Sequence, residues 1–437
     1  MPQSLVEAFY DLDMKYDIIL HGDLIFPSLN RQIQYLPSSY LFIKEGKICK
    51  VSSQRGDEEF SDYLDEEGKL ILPGFSDLHA HASQYAFVGI GGDCELLDWL
   101  RLHAFDEESK FKELSYASQA YDLFVRDLRR SFTTRAALFT TVHPESTFLL
   151  MKKLEEAKLP CYVGKVNMDR NAPDFLREKD VASSISETED LIVRSKFFSL
   201  EHYIITPRFV PTCSDALLQG LGELSIRYHV PVQSHLDENL SEISWVRELV
   251  PSAENYSDVY AHHHLFGNPE RAIMAHCIWE NEEEIKMLLE NQVFVAHCPD
   301  SNLNVSSGIA PIRTYLSRGI HVGLGSDVSG GCSLNLFYAM REAMQVSKMR
   351  FRYLDEKATP LNVEEVFYLA TLGGGEFFGQ VGSFLPGYDA DVLVIDDSRL
   401  STTLHLDLKS RLERLIYRGD ERDLVLKLAK GSRISLD

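Results

Sequence analysis

The sequence has no apolar run that approaches the ~20 residues needed to cross a lipid bilayer. Its first segment, MPQSLVEAFYDLDMKYD, also lacks the basic stretch followed by an apolar stretch that marks a secretory signal. We therefore expect a soluble, unsecreted protein that works in the cytoplasm and has no membrane partner.

Cysteine is scarce, with seven residues that are scattered along the chain and form no C-x-x-C spacing. An odd, dispersed set of this kind argues against a disulfide framework or a zinc ribbon and is typical of a reducing compartment. Basic residues are also in deficit, because 44 Lys and Arg stand against 66 Asp and Glu, for a net charge of -22. Such a chain does not attract phosphate backbones non-specifically, so we expect no nucleic-acid partner and a substrate that is neutral or is bound through local charges.

Several common catalytic motifs are missing from the sequence. There is no G-x-S-x-G, and the glycine-rich LGGGEFFG at 372–379 lacks the Lys-Ser/Thr ending of a Walker A loop. The zinc site of the cytidine-deaminase type requires P-C-x-x-C, which neither PCYVG nor HCPDS supplies. These absences exclude three familiar templates and leave the histidines as the main chemical signal.

Both ends of the chain are rich in strand-like segments. YDIILHGDLIF and SSYLFIKEGKICKVSS lie near the beginning, and GYDADVLVID and DLVLKLAKGSRISL lie near the end. We predict that residues 1–72 and 380–437 form one small composite β-sandwich domain. The 437-residue length then leaves room for a large α/β barrel over residues 73–379.

The middle of the chain alternates short apolar runs with helical stretches such as STFLLMKKLEEAK. The eight runs are LILPGFSDLHAH, ALFTTVH, CYVGKV, YIITPRF, VPVQSH, AIMAH, VFVAH and IHVGLGSD. Eight β-then-α units predict the α/β class and a (β/α)8 TIM barrel rather than a doubly wound sheet. Six of the eight runs end in His or Asp, and the carboxyl ends of barrel strands are where this fold performs its chemistry.

His79 and His81 form an H-x-H pair at the end of the first run. Strand alternation directs residues i and i+2 to one face, so both imidazoles are expected to point together. The motif alone is weak evidence, because 15 histidines in 437 positions produce about half such a pair by chance. The chain has a second pair, His262 and His264, in a polar stretch that we predict to be a solvated loop.

A pair of histidines leaves a metal half coordinated, whereas catalytic zinc takes three or four N and O ligands and keeps an open position for water. His235, His276 and Asp327 end later strands and are the remaining candidates. Each also has a structural interpretation, as a satisfied polar residue or, for Asp327, as a helix N-cap. Their joint occurrence at strands one, five, six and eight favours a metal site, and the ligand types suit zinc and also Fe2+.

Glu238 follows His235 by three residues in SHLDEN. A carboxylate beside the metal, but not bound to it, is the group expected to move protons between water and substrate. His297 also ends a strand but adds no fitting ligand, and a supporting role beside the metal and a purely structural role both remain open.

With these residues in place, the chain resembles the amidohydrolase superfamily, and within it the enzymes that deaminate guanine. The segments PGFSDLHAHASQYAFVG, VGKVNMDRNAP, ITPRFVPTCS, QSHLDEN, MAHC, AHCPDSNLNVSSG and GLGSDVSGG occur in the family's order and approximate spacing. HASQY, PRF and GKVNMD are the more specific parts, and the resemblance spans nearly the whole chain. It implies hydrolysis of guanine to xanthine and ammonia, a terminal β-sandwich and a homodimer.

The resemblance also implies one zinc ion per subunit, whose ligands are His79, His81, His235 and Asp327. His276 is then expected to hydrogen-bond the attacking oxygen. Relatives with two metals bridge them through a lysine on strand four, where this chain has Arg208 and Phe209, while Lys165 is on strand three. A site with two metals is therefore disfavoured.

The substrate-binding residues implied by the resemblance are Gln84, Arg208, Phe209, His235, Glu238 and Asp327. Arg208 is expected near the purine O6. The residues by themselves leave alternatives open, since Arg208 could form an ion pair in this acidic protein and Phe209 could belong to the core. Tyr85 and Phe87 are candidates for the pocket wall or for packing.

The catalytic residues that follow are Glu238, Asp327 and His276. Asp327 is expected to accept the water proton, while Glu238 protonates ring N3 and shares in the proton transfer to the leaving nitrogen. The nearest alternative is a related amidohydrolase that acts on another purine, a pterin or a triazine. A more distant alternative is a non-catalytic scaffold that retains the fold.

Overall fold

The structure, a computed structural model, describes residues 15–437. The predictions that fall on residues 1–14, among them the missing secretory signal and the first part of the terminal domain, lie outside the described residues. Within residues 15–437, no helix is long and apolar enough to cross a membrane.

The secondary structure alternates as the apolar pattern predicts through the middle of the chain. The strands are β1 (Tyr16–Pro27), β2 (Ile33–Lys44), β3 (Lys47–Ser52), β4 (Phe60–Pro73), β5 (Phe75–His81), β6 (Thr133–Phe139), β7 (Cys161–Gly164), β8 (Val166–Asn167), β9 (His202–Tyr203), β10 (Thr206–Pro207), β11 (Val232–Leu236), β12 (Ala272–His276), β13 (Phe294–His297), β14 (His321–Leu324), β15 (Val392–Ile395), β16 (Leu424–Ala429) and β17 (Ser432–Arg433). The α-helices are α1 (Leu96–Trp99), α2 (Phe105–Ser109), α3 (Leu114–Arg130), α4 (Pro144–Ala157), α5 (Val181–Ser195), α6 (Asp215–Tyr228), α7 (Leu240–Leu249), α8 (Tyr256–His262), α9 (Glu282–Glu290), α10 (Pro299–Asn304), α11 (Ile312–Arg318), α12 (Leu336–Tyr353), α13 (Val363–Tyr368), α14 (Gly374–Phe378) and α15 (Leu408–Arg418).

One seven-stranded sheet contains strands from both ends of the chain, in the order β17-β16-β15-β4-β1-β2-β3. The contact between the two ends is the antiparallel pairing of β15 with β4, in which Val392 lies opposite Pro73. One sheet thus combines strands from both ends of the chain. The two-layer sandwich remains a prediction.

Two four-stranded parallel sheets form the middle of the protein, in the orders β5-β6-β7-β9 and β11-β12-β13-β14. Every residue of β5 and β6 is buried, as expected for parallel strands covered on both faces. Backbone hydrogen bonds connect the sheets at both edges, from Gln233 N to Ile205 O at 2.8 Å and from Asp327 N to His79 O at 2.8 Å. The carboxyl ends of the parallel strands consequently open on the same side.

The first predicted run, LILPGFSDLHAH, is divided by the structure at Gly74. Residues up to Pro73 belong to β4 of the terminal sheet, and only β5 belongs to the parallel sheet. A Cβ atom on Gly74 would lie 2.1 Å from Thr134 Oγ1, so only glycine permits this close approach. Runs three and four are also divided, into β7 with β8 and into β9 with β10, and run two ends at Phe139 rather than His143.

An ion-pair cluster fastens the C-terminal segment to the parallel sheet. Arg135 on β6 donates to Asp389 Oδ2 at 2.9 Å and to Asp391 Oδ2 at 2.6 Å. All three side chains are buried. Burial is the largest single influence on the pKa of Arg135 and lowers it, but the two carboxylates together outweigh burial and raise the pKa. The cluster keeps the guanidinium charged where its burial alone would be costly.

Candidate active site

The side chains predicted as metal ligands meet at the carboxyl ends of the parallel strands. His79 and His81 are on β5, and alternation places both on one face. His235 is on β11, and Asp327 lies three residues beyond the end of β14. The backbone of Asp327 has φ 44°, a left-handed conformation that aspartate tolerates better than most residues.

The donor atoms of these four residues lie close together. His81 Nε2 lies 3.2 Å from His79 Nε2 and 3.2 Å from His235 Nε2. Asp327 Oδ1 lies 3.2 Å from His79 Nε2 and 3.4 Å from His81 Nε2. A tetrahedral site with metal-ligand bonds of about 2.0 to 2.1 Å places its ligand atoms about 3.3 Å apart. The donor set therefore fits a single divalent cation.

The protonation states of these groups also suit a metal. Burial, followed by the positive charge of neighbouring imidazoles, lowers the pKa of both His81 and His235 well below the usual range. Burial opposes ionisation of Asp327, but the facing imidazoles, His79 first, hold its pKa below the ordinary value. His235 Nδ1 donates to Arg208 O at 2.6 Å, which leaves its Nε2 as a lone-pair donor. Neutral imidazoles and a carboxylate are the forms that bind metals.

Asp77 forms hydrogen bonds with the backbone next to two of the ligand-bearing segments. Its Oδ1 accepts hydrogen bonds from His79 N at 3.2 Å and from Ser326 N at 2.9 Å, and so joins β5 to the loop that contains Asp327. Complete burial raises the pKa of Asp77 to about 6. The sequence prediction missed this residue, although it lies two positions before His79 and therefore on the same face of β5.

Glu238 and His276 lie next to the ligand cluster. His276 Nε2 is 3.4 Å from Glu238 Oε2 and 3.8 Å from Asp327 Oδ2. Its other ring nitrogen, Nδ1, is 2.8 Å from Asn302 Oδ1, an acceptor that fixes the ring orientation. Burial, then the charges of Glu242 and Asp327, raise the pKa of Glu238 well above its usual range, which favours the protonated acid.

The loop that contains Glu238 is held by the start of the next helix. Asn239 and Glu242 form a capping box at the beginning of α7. Glu242 Oε2 also accepts a hydrogen bond from Glu238 N at 3.1 Å. The position of Glu238 is thus determined by backbone contacts as well as by its own side chain.

A cavity opens beside this cluster and has one apolar wall and one polar wall. The apolar wall contains Leu96, Trp99, Leu100, Phe209 and Val305. The polar wall contains Gln84, Arg208, Glu238, His276 and Asp327. Such a combination suits a flat ring with polar edges, because the ring faces can contact the apolar wall while the edges form hydrogen bonds.

Gln84 and Arg208 are linked through Glu108, a residue that the sequence prediction missed. Gln84 Nε2 donates to Glu108 Oε1 at 2.7 Å, and Arg208 Nη1 donates to Glu108 Oε2 at 2.7 Å. Arg208 therefore forms a buried ion pair and also lines the cavity. Glu108 belongs to no recognisable motif in the sequence, so only its contacts identify it.

Tyr85 and Phe87 serve packing rather than the cavity wall. The Tyr85 hydroxyl donates to Asp127 Oδ2 at 2.8 Å, and the Phe87 ring packs on Trp99 with 5.5 Å between centroids. The sequence left both interpretations open for these two aromatic residues, and the contacts support packing.

Four other basic residues that the sequence singled out lie outside the ligand cluster. His262 and His264, the second H-x-H pair, are exposed as predicted, although His262 is the last residue of α8 rather than part of a loop. His297 is buried, and neither of its ring nitrogens has a hydrogen-bond partner within residues 15–437. Lys165 forms an ion pair with Glu178.

Comparisons with known proteins were consistent across sequence and structure. The model of the amidohydrolase family matches residues 70–427. A guanine deaminase of Dictyostelium discoideum is 38% identical over 427 residues, covering 95% of this chain and 94% of that protein. The guanine deaminase of Escherichia coli is 34% identical over 412 residues, 91% of each chain. A solved guanine deaminase from C. acetobutylicum with guanine bound in its active site has a TM-score of 0.92 and 45% identity, covering 95% of this chain and 99% of that one.

Proposed function

The chain belongs to the amidohydrolase family, and from this premise we propose that it hydrolyses guanine to xanthine and ammonia. Its fold is of the TIM-barrel type of that family. One observation carries the proposal: a donor set for a divalent metal adjoins a buried acid, Glu238, in a cavity with an arginine and an unpaired amide oxygen. The guanine deaminases reported above support the choice of substrate.

The polar wall of the cavity matches one edge of guanine. Guanine presents an acceptor at O6 and donors at N1 and at the 2-amino group. The Arg208 guanidinium supplies donors, and Gln84 Oε1 is a buried acceptor that has no hydrogen-bond partner within residues 15–437. Adenine has the opposite polarity at positions 1 and 6, so this arrangement supports guanine over adenine.

We assign the metal ligands to His79, His81, His235 and Asp327, and the metal to zinc, with Fe2+ as the alternative that the same ligands suit. When bound, zinc lowers the pKa of water from 15.7 to about 7 and so supplies hydroxide at neutral pH. The interatomic distances of 3.2 to 3.4 Å among the donor atoms support this assignment.

The surrounding side chains are arranged to move the protons that deamination requires. Asp327, held ionised by the imidazoles, accepts the proton of the attacking water. Glu238, kept protonated by burial, donates to ring N3 and makes C2 more electrophilic. His276 stabilises the attacking oxygen by a hydrogen bond, from a position between the two carboxyl groups.

The leaving group determines the second half of the reaction. The exocyclic nitrogen must leave as ammonia, because amide ion is too basic to depart at neutral pH. Glu238 and Asp327 transfer the proton taken from water to this nitrogen while the C–N bond breaks. As C2 becomes a carbonyl, Glu238, which is a carboxylate after protonating N3, takes the remaining hydroxyl proton of the attacking oxygen. Guanine and water are thereby converted into xanthine and ammonia, and Glu238 ends in its initial protonation state.

The finer architecture is part of the same proposal. We propose that the parallel strands close into an eight-stranded barrel over residues 73–379, beside a β-sandwich domain made of residues 1–72 and 380–437. The backbone hydrogen bonds at both edges of the two parallel sheets support closure. The pairing of β15 with β4 supports the composite domain over its described part.

A homodimer in the cytoplasm completes the proposal. All seven cysteines are free thiols, which suits a reducing compartment. The homodimer rests on the family resemblance. Light scattering on the purified protein measures the mass directly, and a monomer would contradict this part.

The proposed function is tested by measuring ammonia release from guanine, adenine, cytosine and 8-oxoguanine, with metal analysis of the same preparation. We expect kcat/KM for guanine to exceed that for adenine by about 10³-fold or more, because mismatched polar groups in a closed site are costly. A higher rate on another substrate would indicate the related-deaminase alternative. A metal-free protein that releases no ammonia from any of these substrates would indicate the alternative of a non-catalytic scaffold with the same fold.

Gln84→Ala is expected to raise KM for guanine by about 10- to 100-fold, because guanine loses the acceptor for its N1 and amino donors, at about 1 to 3 kcal/mol. Steady-state kinetics at saturating and limiting guanine measures the change. Metal content is the control and is expected to stay unchanged, since Gln84 is not in the ligand cluster. An unaltered KM would contradict the assigned contact.

A further inference from the structure

We propose that Glu108 is a positioning residue, which orients the Gln84 amide and the Arg208 guanidinium and thereby sets the preference for guanine. The inference rests on the proposed function and extends it to a residue that does not line the cavity. Its basis is the position of Glu108 between Gln84 and Arg208, the two cavity-lining residues that the proposed function assigns to the N1 and O6 edge of guanine.

Each oxygen of Glu108 serves a different partner. Oε1 accepts from Gln84 Nε2 and Oε2 accepts from Arg208 Nη1, both at 2.7 Å. The Glu108 side chain is fully buried, and that of Arg208 is 3% exposed, so water does not compete for these bonds. Short, charge-assisted hydrogen bonds of this kind define orientation as well as position.

Glu108, bonded to both Gln84 and Arg208, selects one of two orientations for the Gln84 side-chain amide. An amide can rotate by half a turn and exchange its carbonyl oxygen with its NH2 group. As a carboxylate paired with Arg208, Glu108 can only accept hydrogen bonds, so it must face the NH2 group of Gln84. Gln84 Oε1 is then turned away from Glu108, and it is buried without a hydrogen-bond partner within residues 15–437. Gln84 Oε1 is therefore available to accept a hydrogen bond from a donor group of the ligand.

The same carboxylate restricts Arg208. One N–H group is used by Glu108, and the guanidinium plane lies with its central carbon 5.1 Å from the centroid of the Phe105 ring. Phe105 and Glu108 are both on α2, so a single helix supports the arginine from two directions. The remaining donors of Arg208 are thereby left for the cavity that it lines, where the proposed function places guanine O6.

The position of α2 is itself fixed by the neighbouring strand connection. Thr141 Oγ1 donates to the backbone oxygen of Glu108 at 3.1 Å. Leu100, Ala104 and Glu108 follow one another at intervals of four residues, and all three are buried. The helical segment that places Leu100 in the cavity wall therefore also places Glu108 behind Gln84 and Arg208.

The test compares guanine with 2-aminopurine, which has the same 2-amino leaving group but lacks O6 and carries an acceptor at N1. In Glu108→Gln the amide at position 108 can donate or accept, so Gln84 is free to turn. We expect kcat/KM for guanine to fall about 100-fold, mainly through KM, and the ratio of guanine to 2-aminopurine to fall at least 10-fold. Where 2-aminopurine turns over too slowly, its inhibition constant replaces kcat/KM.

Glu107→Gln is the matched control. Glu107 is the adjacent residue of the same helix and is also buried, but it bonds to Tyr116 and, at 2.9 Å, to Lys110. We expect this variant to keep the substrate ratio and the metal content of the wild type. Glu108→Asp retains the charge and the accepting polarity, and is expected to keep most of the ratio while KM rises.

Two results would overturn the inference. One is a Glu108→Gln protein that turns over guanine and retains the wild-type substrate ratio. The other is a uniform loss on both substrates with loss of metal or of thermal stability, which would indicate a purely structural residue. If Glu108→Gln does not fold, a Glu108→Asp protein with the wild-type KM for guanine would overturn the inference. A wild type inactive on guanine would instead refute the proposed function itself.

Discussion

Glu238→Gln is expected to lower kcat on guanine by about 10³-fold, within the range of 10²- to 10⁴-fold that general acid-base catalysis contributes. The amide has the shape of the acid, so contacts such as the 3.4 Å hydrogen bond from Ser307 Oγ can remain. It has no carboxyl proton to give, so protonation of ring N3 and of the leaving nitrogen both fail. Metal content and guanine affinity are expected to stay near wild-type values.

The measurement that isolates this effect is single-turnover kinetics, together with guanine binding and metal analysis on the same protein. Glu107→Gln again provides a control, because it makes the same chemical change at another buried glutamate. A Glu238→Gln enzyme with near wild-type turnover would refute the assigned role. Loss of guanine binding alongside turnover would show that Glu238 acts mainly through affinity.

The second large effect is expected from the double variant His79→Ala, His81→Ala. Removing two of the four donor residues leaves His235 and Asp327. Two ligands are too few to retain a divalent cation in competition with water and buffer. We expect bound metal to fall below about one tenth of the wild-type content and kcat/KM to fall by about 10⁴-fold or more, since the nucleophile at neutral pH depends on the metal. Elemental analysis and ammonia release measure the two quantities.

The chain provides a matched control for this experiment. His262→Ala, His264→Ala removes an H-x-H pair of the same spacing that is exposed on the surface. This variant is expected to retain metal and activity. Full metal occupancy in a folded His79→Ala, His81→Ala protein would show that the ligands lie elsewhere.

Several features of the fold could be predicted because they depend on local pattern. Residues of β5 and β6 are buried on both faces, so each strand appears in the sequence as a continuous apolar run. His79 and His81 could be paired from the sequence because alternation along a strand is a property of the backbone alone. The capping box at the start of α7 is likewise local.

Other features depend on residues that are distant in the chain. The division of the first run at Gly74 follows from the close approach of Thr134, and no nearby residue indicates it. Asp77 could have been recognised as a residue on the face of His79, but its role requires the contact with Ser326, 249 positions later.

The sequence by itself determined the types of donor and their order: the H-x-H pair, the histidines at later strand ends, the aspartate and Glu238. It could do so because parallel strands bring their carboxyl ends to one side, whatever the details of packing. Only the tertiary structure decided that Arg208 and Gln84 share one carboxylate, Glu108, since the contact between Arg208 and Glu108 spans 100 positions and depends on how α2 packs behind these two side chains. Metal chemistry follows from residue types at repeated positions, whereas discrimination between purines depends on how buried hydrogen bonds are oriented, and no local pattern specifies that.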